Sequence, residues 1–145
     1  MKELQTTISF KNVQDAFYVY CDIIERHERG VTGSSIASFY IGCVILQSFA
    51  CEIGLKALLA SENKVAHGHY LNDLFNELST QKQDIIRQCT EYDRLFFYES
   101  LSANKDHFTK WRYYYEGNSL SVDYQFTSKL FYAIKACLDE IKPEH

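Results

Sequence analysis

A chain of 145 residues with 46% apolar and 23% charged side chains has the size and balance of one folded domain, which excludes a disordered polypeptide and argues against two independent domains. A formal charge of −4 at pH 7 leaves no global electrostatic reason to adhere to nucleic acid non-specifically. Five cysteines, odd in number and without a Cys-x-x-Cys spacing, read as reduced core residues rather than a disulfide framework.

The first predicted element runs from Lys11 to Arg29, where Val13, Ala16, Phe17, Tyr20, Ile23 and Ile24 recur at helical spacing and the acidic residues fall elsewhere. Gly30 and Gly33 break it, and Ser34 or Ser35 can cap a second helix running from about Ser35 to about Glu62. No charge falls between Arg29 and Glu52, which raises the question of a membrane span. The apolar stretch proper starts only at Ile36 and meets Ser38, Gln47, Ser48, Glu52 and Lys56, so a buried central helix is expected instead of a span. With a start of Met1-Lys2-Glu3-Leu4 that lacks a basic region followed by an apolar one, the chain reads as cytoplasmic.

A polar loop from Asn63 to His69 leads to a short third helix marked by Leu71, Leu74, Phe75 and Leu78. Thr80 and Gln83 fit a capping box, and Ile85, Ile86, Cys89, Tyr92 and Phe96 predict a fourth helix reaching about Tyr98. Ser102 to Asp106 is a polar break, His107 to Glu116 reads as a short helix, and the last helix runs from about Val122 until Pro143. The sum is one all-α domain over residues 1–145, a helix bundle of four longer helices plus one or two short ones. Eleven Tyr and ten Phe suit half-buried seams, so self-association is an expectation.

Chemistry has three places to sit. Ser48, Glu52 and Lys56 are four apart and form a polar stripe on the central helix, either a plain Glu52–Lys56 surface pair or part of a network lining a cleft. His67 and His69 flank Gly68 at the mouth of the third helix. They have no partners at metal-ligand spacing, so no metal is expected, and His69 either caps that helix or bonds to the Glu52 stripe, where an imidazole can act as acid or base. Phe108 to Glu116 sets five aromatics around Arg112; if helical, Arg112 and Glu116 share a face. Such a run forms a core or dimer interface, or else a platform that stacks bases and grips phosphate.

Three strings taken together resemble bacterial domains of the HEPN (higher-eukaryote and prokaryote nucleotide-binding) superfamily: Ala50-x-Glu52-x-x-x-Lys56-Ala57-Leu58-Leu59, Gly68-His69-x-Leu71-x-x-Leu74-Phe75-x-x-Leu78 and Phe108-x-x-Trp111-Arg112-Tyr113-x-Tyr115-Glu116. The resemblance spans roughly Phe17 to Ile141 and implies a helical bundle, commonly a homodimer, serving in toxin–antitoxin modules, antiviral defence or RNA processing. It also implies metal-independent ribonuclease activity in many members and, in some, modification by a cognate nucleotidyltransferase. Catalytic members carry Arg, four to six residues, then His, and none of the five His here has an Arg at that distance upstream.

The expected function is therefore a dimeric RNA-, nucleotide- or partner-binding module that needs no cofactor, its cleft lined by Glu52, Lys56, His69, Arg112 and Glu116. Two alternatives stay open. One is a divergent metal-independent endoribonuclease in which His69 is general acid or base and Arg112 or Lys56 stabilises phosphorane charge. The other is a purely structural subunit of a defence complex.

Overall fold

The computed structural model describes residues 9–30, 36–106 and 124–141. Over these it is an all-α bundle: α1 (Phe10–Gly30), α2 (Ile36–Ser61), α3 (Leu71–Asn76), α4 (Thr80–Thr90), α5 (Arg94–Ala103) and α6 (Tyr124–Asp139). The aromatic run Phe108 to Glu116, with Arg112 and Glu116, and the cap candidates Ser34 and Ser35 lie outside the described residues.

Helix α2 is the axis because it is apolar on nearly every side and can only be stable surrounded. It packs on α1, α3 and α6, while α6 also packs on α4, and α3 on α5. Cys43, Val44, Ala50, Cys51, Leu55, Ala57, Leu58 and Leu59 are all buried along it. By length and composition alone Gly42–Ser61 could cross a membrane, and 61% of that window is buried inside the bundle. At Gly54 both α1 and α6 crowd α2: a Cβ there would lie 2.6 Å from Cγ2 of Ile134 and 2.8 Å from Cε1 of Phe17. On α1 the buried stripe is Gln14, Phe17 and Ile24, whereas Ile23 is exposed.

The helix expected to run unbroken from Thr80 to Tyr98 is two helices. Glu91 closes α4 in the left-handed region (φ 64°), and Asp93 caps α5 by accepting from the Phe96 N–H at 2.8 Å. The buried positions are Ile86 and Thr90 on α4, then Phe97 and Leu101 on α5, so Phe96 is exposed instead of inward-facing. The cap of α4 is Ser79, one residue before the expected Thr80, and it accepts from the Lys82 N–H. Gln83 instead turns its amide back to the carbonyls of Leu78 and Asn76. A non-glycine residue in the left-handed region is strained, so Glu91→Gly is expected to raise stability by about 0.5 kcal/mol, read as a higher midpoint in urea.

Rings join the short helices α3 and α5 to α6. Phe75 of α3 lies 5.1 Å from Phe97 of α5, which lies 5.9 Å from Phe126 of α6. Such contacts add to plain area burial. Among the cysteines, Cys43, Cys51 and Cys137 are buried, Cys21 is half-buried and Cys89, expected on an inward stripe, is exposed. Burial pushes the Cys137 and Cys21 thiols up to about 11 and the Cys51 thiol higher still, so these three are packing groups rather than nucleophiles.

Candidate functional site

The loop after α2 sets two histidines against two different carboxylates. The chain leaves α2 through hydrogen bonds from the Glu62 and Lys64 N–H groups to the Leu59 carbonyl and from Asn63 N–H to Ala60. Gly68 then adopts φ +80°, a conformation that side-chain-bearing residues rarely take, between the two imidazoles. His67 Nδ1 lies 3.0 Å from Glu77 Oε1 at the end of α3. His69 Nδ1 lies 2.8 Å from Glu52 Oε2 on the central helix.

Lys56, one turn beyond Glu52, places Nζ 2.8 Å from the same Glu52 Oε2 and 3.2 Å from His69 Nδ1. The two helix side chains are about four-fifths sheltered, at 17% and 20% exposed, while the imidazole is 77% exposed. Charge decides the tautomer. An ionised carboxylate only accepts, so the short His69–Glu52 contact requires the proton on Nδ1, and the Lys56–His69 contact is then two donors sharing one acceptor. Nε2 of His69 is the ring nitrogen that makes neither contact, on a largely exposed ring that donates there when protonated and accepts when neutral. Lys56 has three N–H donors, and with Glu52 taking one it keeps the capacity to donate to a further group.

Of the five residues expected to share a cleft, the structure brings Glu52, Lys56 and His69 together. Arg112 and Glu116 fall outside the described residues. Ser48, the first member of the stripe, is buried with its hydroxyl unpartnered and does not join the cluster. Among the described residues no group of three His, Cys, Asp or Glu side chains is placed to hold a metal ion.

Two neighbours were not singled out by sequence reasoning. Tyr70, next to His69, is half-exposed, and the Lys105 ammonium sits 5.5 Å from its ring centroid. The pairing arises because the Leu71 N–H donates to the Lys105 carbonyl, docking the start of α3 on the end of α5. No local pattern announces a contact between residues so far apart in the chain.

Glu62 is a third omission, and its role is to hold the loop. Its carboxylate accepts from the Ser79 N–H at 3.1 Å and pairs with Lys82 at 3.0 Å and Lys64 at 3.2 Å. Burial pushes its pKa up, but the hydrogen bonds from Ser79, Lys82 and Lys64 outweigh it and hold the group at about 2. A tertiary carboxylate thus completes the cap of α4.

No family model, curated protein or solved structure matches the chain.

Proposed function

We propose that the chain is a HEPN-like binding module of a bacterial defence, stress or toxin–antitoxin setting, taking RNA or a nucleotide on the patch where Glu52, Lys56 and His69 meet. The observation that carries this reading is the convergence of an ammonium and a carboxylate-oriented imidazole on one oxygen, with a half-exposed tyrosine next in sequence to that imidazole. Each part suits a piece of a ribonucleotide: Lys56 a phosphate, the free Nε2 of His69 a ribose 2′-hydroxyl, the Tyr70 ring a base. The acidic chain, and a patch whose one ammonium is already paired with Glu52, favour a nucleotide or a short single strand over a long duplex. In this reading the protein works as a homodimer, with the exposed Leu95 and Phe96 of α5 as its candidate apolar contact.

Fluorescence anisotropy with a labelled ten-nucleotide RNA and the DNA of the same sequence tests it. Lys56→Gln is expected to weaken RNA binding about fivefold or more and to lower the salt dependence by about one counterion. His69→Ala is expected to erase the preference for RNA over DNA while leaving stability within about 0.5 kcal/mol, since the side chain is mostly in solvent. Unchanged affinity and preference in both variants would overturn the reading.

The exposed, carboxylate-oriented His69 also favours a second reading, a metal-independent endoribonuclease. Nε2 would take the 2′-hydroxyl proton as the 2′-oxygen attacks phosphorus, Lys56 or Arg112 would counter the phosphorane charge, and the 5′-oxygen would leave with a proton from water, giving a 2′,3′-cyclic phosphate and a 5′-hydroxyl. Incubation with structured RNA in EDTA separates the two: cleavage lost in His69→Ala supports the nuclease, and an inert wild type leaves the binding module.

A further inference from the structure

Behind Lys56, on the side toward α1, the bundle opens into a cleft of about 370 Å³, within the range of small-molecule sites. Its walls come from the first turns of α1, the last turns of α2 and the loop after α2. They are apolar, with Val13, Ile53, Ala60 and Val65 among the lining side chains. The only charged residues among the described lining are Lys56 and Lys64. Each ammonium has three N–H donors. Glu52 takes one from Lys56; Glu62 and the Glu77 carbonyl take two from Lys64. Each therefore keeps donor capacity beyond its partners within the fold, and the carboxylates that hold them lie outside the cleft lining.

An apolar trough whose described lining carries two cations and no carboxylate selects against a neutral lipid, which would leave those donors unused, and against an amine, which they repel. We propose that this cleft binds a small amphipathic anion, an aliphatic body of medium length carrying one carboxylate or phosphate held by Lys56 and Lys64. The body replaces water along Val13, Ile53, Ala60 and Val65, and the head takes the remaining N–H groups. The site goes beyond the RNA-binding reading and does not depend on it, although Lys56 serves both.

Isothermal titration of the full chain with butanoate, hexanoate, octanoate, octyl phosphate, octanol and octylammonium, all as monomers in solution, provides the test. Affinity is expected to rise about tenfold for each added pair of methylenes until the cleft is filled. Octanol and octylammonium are expected to bind at least about tenfold more weakly than octanoate, as a charge-assisted contact is lost. Whichever of octanoate and octyl phosphate binds tighter identifies the head group, and either order supports the site.

Two variants localise the binding. Ala60→Trp fills the trough, and Val65→Glu sets a carboxylate at its edge from an exposed loop position that the fold tolerates. Each is expected to weaken octanoate at least about tenfold. Val65→Glu is also expected to leave RNA anisotropy unchanged, so failure here and failure of the RNA reading are distinguishable. Equal affinity for octanol and octanoate, no binding of octanoate, or full octanoate binding by folded Val65→Glu would each overturn the proposal.

Discussion

Gly54→Val is expected to lower stability by about 3 kcal/mol, the largest single effect foreseen for the bundle core. Even the first added carbon would lie 2.6 Å from Ile134 and 2.8 Å from Phe17, far inside ordinary contact. Neither neighbour can swing into solvent, because both are fully buried. Relief must come from separating α1 or α6 from α2, and densely packed interiors transmit such displacement rather than absorb it. Valine is a better helix former than glycine by a few tenths of a kcal/mol, which is small against this crowding. Thermal unfolding followed by circular dichroism should show the midpoint fall by about 10 °C for a chain of this length. A midpoint within about 2 °C of wild type would mean that the three helices do not meet at Gly54 as described.

Glu62→Gln is expected to cost about 2 kcal/mol at pH 7 and to flatten the loss of stability in acid. The sign follows from linkage. The carboxyl titrates at about 2 in the folded chain against 4.5 for the free group, so its contribution is fully present above about 4.5 and lost as pH falls toward 2. The side chain is only 10% exposed, and the whole contribution is on the order of 3 kcal/mol. Glutamine keeps an acceptor for the Ser79 N–H but removes the charge that Lys64 and Lys82 share. Urea unfolding of both proteins at pH 6, 4 and 3 should show the difference between them shrinking as pH falls. A constant difference across that range would show that the carboxylate does not carry the effect.

The bundle class was legible because periodicity reports burial, and burial organises most of this chain. Helix α2 could be identified as the axis from its lack of charge before Glu52. The break at Glu91 was hidden for a definite reason: Ile86, Thr90, Phe97 and Leu101 keep helical spacing across it, so the pattern is the same for one helix or two. The only local cue is Asp93, a good cap that also occurs within helices.

At the site, Glu52 and Lys56 were readable because four residues apart on a helix is a fixed geometry. His69 joining them was one of two alternatives, and the choice is made by Gly68 turning the loop toward α2. Tyr70 beside Lys105 and Glu62 on the α4 cap were not readable, since each depends on how separate helices dock. The HEPN resemblance rests on three strings, one of which, Phe108 to Glu116, lies outside the described residues.

The central claim is that a ligand is met by Glu52, Lys56 and His69 as one patch. The most direct measurement is a nitrogen-15 correlation spectrum of the protein titrated with a short single-stranded RNA. The account predicts that the largest shifts fall on the amides around Glu52, Lys56 and residues 67–70, and that they vanish in Lys56→Gln. Shifts of equal size in Lys56→Gln, or shifts confined to surfaces away from the loop after α2, would contradict it.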